Sequence, residues 1–168
     1  MQEKMKTNIK NYLPSIVYGG SDGAVTTFSV MAGAYGAGLP ARIVIILGLA
    51  NLFADGFSMA SADYLAEDSK VDSRKSENLK SAFTTFLSFV SIGSIPLLPF
   101  LLTINNLGNT SIFYASAILT ILTFVFIGYM RGRILKRNKI HTILQSVIIC
   151  SISAFVAYFV GEYISKII

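Results

Sequence analysis

The chain has 168 residues, 53% hydrophobic and only 14% charged, where a soluble domain of this length carries about a quarter charged residues. Its 14 Lys and Arg against 9 Asp and Glu leave a formal net charge of +5. The charges cluster, leaving almost uniformly apolar stretches of roughly 20 residues, the length that crosses a hydrocarbon core of about 30 Å. That excludes a soluble domain and predicts an all-α, multi-pass transmembrane helical bundle forming one domain over residues 1–168.

Five spans follow in chain order. The N-terminal MQEKMKTNIK precedes an apolar run too long for a signal peptide and interrupted by Asp22, so it is read as a retained first span, Tyr12–Leu39. That span holds six of the 13 glycines, which implies close helix packing, unwinding, or both. Gly19 and Gly23 have the small-residue spacing that brings helices together. GAGLPAR then forms a tight hairpin, with Pro40 at the start of span two, Arg42–Leu65.

The loop AEDSKVDSRKSENLK, Ala66 to Lys80, balances Glu67, Asp68, Asp72 and Glu77 against four bases. It is expected to continue span two as a solvated helix laced with acid–base pairs, or else to be an exposed charged turn. Span three, Ser81–Ile104, carries Pro96 and Pro99 and is expected to kink there. Span four, Ser111–Met130, and span five, Thr142–Tyr163, read as scaffold, with Glu162 near an aqueous end. No internal repeat or second domain is evident.

Cys150 is the sole cysteine and lies in span five, so no intramolecular disulfide forms, and it reads as a small buried hydrophobe. The sole histidine, His141, falls in a basic loop, which sets aside a His-based metal or catalytic site. Twelve of the 14 basic residues lie before span one, between spans two and three, or in RGRILKRNK between spans four and five. With five spans these segments share one side, so the positive-inside rule puts the N-terminus in the cytosol and the C-terminus outside. The basic excess thus reports topology and attraction to anionic membrane lipid, without nucleic acid.

Asp22, Asp55 and Asp63 lie within the first two spans, where an Asp at a helix centre costs roughly 2.5–3.5 kcal/mol. Apart from Arg42, about 13 residues or 20 Å of helix from Asp55, none of the five spans supplies a base. Protons, metal ions or water must therefore meet the negative charge, which suits a cation pathway. Asn51, Asp55, Met59, Asp63 and Glu67 recur every four residues along one slowly drifting helix face, and Asp22, Thr26, Ser29 and Gly33 form a comparable stripe on span one.

In a straight hairpin Asp22 lies level with Met59, and Thr26 with Asp55. A carboxylate beside a thioether moves preference from Mg²⁺ or Ca²⁺ toward transition metals, Fe²⁺ first and Mn²⁺ behind it. Other readings stand beside this one. Met59 is core filler, Asp55–Gly56 caps a broken helix, and Asp22 bonds backbone freed by neighbouring glycines.

GGSDGAVTTFSVMAGAYGAG followed by ILGLANLFADGFSMASADYL resembles the vacuolar iron transporter family, with an SDG-type motif in the first helix and an ADGxSM-type motif in the second. The likeness covers about positions 18 to 68. It implies a five-helix homodimer moving Fe²⁺, often with Mn²⁺, out of the cytosol in exchange for protons, with no permanently bound cofactor and no enzymatic activity. Asp22 matches the family's first-helix transport aspartate, Met59 its second-helix methionine, and Asp63 an acidic position one turn beyond. Eukaryotic members insert a long glutamate-rich metal-binding domain between helices two and three. Here Ala66–Lys80 fills that gap, leaving Glu67 and Asp68 at most a reduced entry site. Asn51 is neutral where some relatives carry an acid.

The resulting expectation is a divalent-metal transporter of the cell membrane or a vacuole-type membrane. Asp22, Met59, Asp63 and Glu67 bind metal, Asp22, Asp55 and Asp63 couple protons, and Thr26, Ser29 and Asn51 line the path. A proton-coupled organic-cation exporter and a non-transporting metal sensor or scaffold are the alternatives. A membrane-embedded enzyme finds no cofactor motif or Ser–His pair to support it.

Overall fold

The computed structural model describes residues 2–71, 74–102 and 110–167, the side chains of 2–11 and 110 excepted. Ile104, the expected end of span three, and Asp72, an expected loop partner, lie outside the described residues. The helices are α1 (Gln2–Gly36), α2 (Ala41–Asp68), α3 (Lys75–Gly93), a 3₁₀ turn at Ile95–Leu97, α4 (Leu98–Leu102), α5 (Thr110–Ile134) and α6 (Lys139–Ser165). The chain is an all-helical bundle. Four of its helical segments, Ala41–Asp68, Lys75–Leu102, Ser111–Ile134 and Lys139–Ser165, are long and apolar enough to cross a membrane. Together with the relatives described below, they make it an integral multi-pass membrane protein.

The helix of the expected first span, α1, is the exception in hydropathy, and its position explains why. It packs against α2, α3, α5 and α6 at once, so most of its surface meets protein. A helix enclosed in this way needs small residues more than apolar ones. At 35 residues it extends about 52 Å.

Its glycines mark close approach and not unwinding, since α1 is continuous through all of them but Gly38. A methyl group on Gly19 or Gly23 would run into the backbone carbonyls of Thr85 or Phe89 on α3, and Gly33 and Gly36 likewise abut Ala157 and Tyr158 on α6. Gly38, with φ +71°, ends the helix in the left-handed conformation that glycine adopts freely. Pro40 then caps α2 from just outside it, its carbonyl accepting from Ile43 N (2.8 Å) and Val44 N (3.2 Å).

The expected kink in span three is a break. α3 stops at Gly93, and a 3₁₀ turn with Pro96 near its start leads into α4. The carbonyl of Pro96 accepts from the buried Ser116 hydroxyl of α5 at 2.6 Å. Of the two courses expected for the charged loop, the structure takes the turn, because α2 ends at Asp68 and a new helix begins at Lys75. Two local ion pairs, Lys70–Glu67 and Arg74–Glu77, flank the gap.

Candidate metal pathway

The three intramembrane acids have different surroundings. Asp63 is satisfied by hydroxyls: Ser81 Oγ and Thr85 Oγ1 of α3 each donate to its Oδ2 at 2.8 Å. Ser81 also meets Ser15 of α1 at 2.9 Å. With the Ser81 proton committed to Asp63, Ser15 is the donor there. The result is a chain of hydroxyls from α1 through α3 into a carboxylate on α2, with Ser15, Ser81 and Thr85 all buried. A carboxylate that accepts such bonds keeps its charge at lower cost.

Asp22 and Asp55 have no such support. Among the described residues neither side chain takes part in a hydrogen bond or ion pair, and the two lie close enough for their charges to act on one another. Asp55 does not cap a break, because α2 runs unbroken through Asp55 and Gly56. Asp22 does not bond freed backbone either. Its own carbonyl accepts from Thr26 Oγ1 at 2.8 Å within an intact helix.

Both partly buried, Asp22 and Asp55 thus bring together two uncompensated carboxylates from α1 and α2. Further along these helices, Thr27 Oγ1, Ser29 Oγ and Asn51 Nδ2 are buried polar atoms with no partner among the described residues. Ser29 and Asn51 are two of the expected path-lining residues. Thr27 was not foreseen, since its stripe position does not coincide with Asp22.

Met59 is 9% exposed and packs in an apolar cluster with Leu52 and Phe89. Glu67 pairs with Lys70, and Asn78 donates to Asp68 Oδ1 at 3.2 Å. Among the described residues no three His, Cys, Asp or Glu side chains converge as a ready metal cluster. Geometry accounts for the dispersal of the α2 stripe. Each step of four residues advances about 400° around a helix of 3.6 residues per turn. Between Asn51 and Asp63 the face therefore turns by about 120°, from α1 toward α3.

Asp22 also lines a cavity of about 690 Å³ between α1, α5 and α6. Leu13 and Pro14 of α1 and Leu135, just past the end of α5, stand at one end of it. The start of α1 and the end of α5 therefore share that end of the bundle. Toward the other end α1 and α6 close together, with Gly161 against the backbone of Gly33.

Arg131 lines the same cavity, which corrects the expectation that the last three spans supply no base. α5 continues to Ile134, so Arg131 lies within the helix, and its Nη1 turns back to donate to Ser146 Oγ at 3.3 Å. The basic run RGRILKRNK hid this residue among charges that end in solvent. A helical reading of its first four residues places Arg131 one turn above Ile127, on a buried face.

The comparisons with known proteins agree with the motifs. A Toxoplasma gondii protein named vacuolar iron transporter is 36% identical over 76 residues, 45% of this chain and 25% of its own length. Proteins of the same name from Plasmodium berghei and Plasmodium falciparum are each 35% identical over 68 residues, 40% of this chain and 25% of theirs. The aligned part is thus about a quarter of the length of these relatives. The VIT family model matches residues 13–80 and 71–162. Its coverage runs from α1 to near the end of α6, and the chain belongs to the VIT family.

Proposed function

We propose that this protein carries a divalent transition metal, Fe²⁺ and also Mn²⁺, out of the cytosol in exchange for protons. The observation that carries the reading is the pair Asp22 and Asp55. Neither carboxylate has a hydrogen-bond or ion-pair partner among the described residues, and Arg131, which lines the cavity with Asp22, is not within ion-pair distance of either. An intramembrane acid in that condition calls for a cation. A bound metal and a bound proton are alternative ways to neutralise it, which is the chemical basis of exchange.

Asp22 and Met59 supply the metal ligands of this reading, with matching groups from a second copy of the chain completing the site in a homodimer. Asp55 tunes the field at Asp22. Thr26, Ser29 and Asn51 line the route beyond, and the unpaired buried atoms of Ser29 and Asn51 are groups that a passing hydrated ion can engage. Asp63 and Glu67 stand on the approach from the basic end of the bundle, which the positive-inside rule assigns to the cytosol.

Flux into proteoliposomes tests this, with Fe²⁺ held under anaerobic conditions and with or without an imposed pH gradient. The expected result is gradient-dependent uptake that Asp22→Asn abolishes. Metal binding without flux points to a sensor, and uptake unchanged in Asp22→Asn sinks the mechanism.

A further inference from the structure

Arg131 poses a problem that the protein alone does not solve. Its guanidinium offers five N–H groups in a rigid fork, and one of them reaches Ser146 Oγ at 3.3 Å. Ser146 donates its own proton to the Thr142 carbonyl at 2.9 Å, so its oxygen is held ready to accept from Arg131. No carboxylate lies within ion-pair distance of Arg131 among the described residues. Asp22, the acid on the same cavity, is not its partner.

Apart from Ser21, Asp22 and Ser153, the remaining walls are mainly apolar, with Val17, Val25, Phe124 and Ile149 among them. Water satisfies the guanidinium but leaves these walls wet, while a hydrocarbon chain satisfies the walls and leaves the charge bare. A divalent cation suits Asp22 further along α1 but is repelled at the Arg131 end. An amphiphile with an anionic head meets both demands.

We propose that the crevice between α1, α5 and α6 is a binding site for one anionic phospholipid. The phosphate sits on Arg131, in the paired N–H geometry that guanidinium offers to phosphate, and an acyl chain runs along Val17, Val25, Phe124 and Ile149. The cavity, about 690 Å³, lies in the range of about 300–1,000 Å³ typical of small-molecule pockets. Charge complementarity extends past the site. Arg133 follows on the last turn of α5, Lys136 and Arg137 in the α5–α6 connection and Lys139 at the start of α6, and basic groups at that level concentrate anionic lipid. Asp22 lines the same crevice, so the lipid lies beside the proposed metal ligand, but the lipid proposal does not rest on metal transport.

The test uses the full chain purified in detergent, read by native mass spectrometry and thermal unfolding. The probes are phosphatidylglycerol, phosphatidylcholine with the same acyl chains, and inorganic phosphate. Phosphatidylglycerol is expected to remain as a one-to-one adduct and raise the unfolding midpoint, and the other two to do neither. Arg131→Gln should weaken retention at least about tenfold, the loss of one charge-assisted contact, whereas Arg133→Gln, on the exposed side of the same turn, should keep it. Ile149→Phe fills the acyl slot with Arg131 intact and should also lose the adduct, which decides the matter if Arg131→Gln does not fold.

Equal retention by wild type, Arg131→Gln and Ile149→Phe overturns the proposal. So does an equal shift with inorganic phosphate, which makes the site an anion site without lipid. A change of oligomeric state in Arg131→Gln with lipid retention intact overturns it too, and makes the crevice an interface between copies.

Discussion

Thr85 donates its hydroxyl to Asp63 Oδ2 across 2.8 Å, tying α3 to α2 where Gly19 brings α1 against the backbone of the same threonine. One turn of α3 thus anchors two neighbouring helices, one by a hydrogen bond and the other by backbone contact. Asp63 is therefore predicted to hold the bundle together as well as to stand on the ion route. Asp63→Ala leaves the Thr85 hydroxyl without its acceptor and Ser81 with Ser15 alone, and should lower stability by about 1–3 kcal/mol. Asp63→Asn keeps an acceptor oxygen and should cost less. Thermal unfolding in detergent gives the order, and equal midpoints for both variants and wild type would remove the anchoring role.

Asp55 has no hydrogen-bond partner among the described residues, so its substitution should separate electrostatics from stability. Asp55→Asn is expected to leave the unfolding midpoint near that of wild type. It should also weaken metal binding on the order of tenfold, or about 1.4 kcal/mol, by removing a charge that acts on Asp22. Calorimetric titration with Mn²⁺, which is stable in air, measures it. Tighter binding in the variant would mean that the two acids do not share an ion.

Met59 distinguishes the substrate class. Leucine has nearly the same volume, so Met59→Leu in the apolar cluster should cost less than about 1.5 kcal/mol in stability. Removing the thioether should slow transition-metal flux while sparing an organic cation. Parallel flux assays with Fe²⁺ and a quaternary ammonium compound separate the two. An unchanged Fe²⁺ rate would return Met59 to its packing role alone.

Gly23 is predicted to tolerate no side chain. A methyl group there meets the Phe89 carbonyl on the facing backbone, which cannot swing away as a side chain does, so Gly23→Ala must push α1 off α3. The expected cost is about 1–3 kcal/mol, the range for overpacking. Gly38→Ala has open space around it but a φ of +71°, and should cost about 1–2 kcal/mol through backbone strain alone. Yield of monodisperse protein and unfolding midpoints check both, and a wild-type midpoint for Gly23→Ala would contradict the helix contact.

Hydropathy and charge clustering were enough to predict the helices to within a few residues for α2, α5 and α6, because apolar length is a local and additive property. The intramembrane acids were legible for the same reason, since a charge inside an apolar run stands out wherever it goes. The i, i+4 stripe on α2 was legible only in part. Asn51, Asp55 and Asp63 share a sequence spacing but not a neighbour, because the stripe rotates as it climbs.

The motifs around Asp22 and Met59 carried the family, and composition alone determined that this chain lives in a membrane. Which acids are left without a hydrogen-bond partner among the described residues was decided by the tertiary structure. The hydroxyls that quiet Asp63 lie 18 and 22 residues further along the chain, and nothing in the local pattern marks Ser81 and Thr85 as its partners. Arg131 shows the converse: its basic neighbours suggested solvent, and only the continuation of α5 turns it into the cavity with Asp22. Burial of apolar surface depends on composition along one helix, whereas compensation of a charge depends on which helix packs beside it.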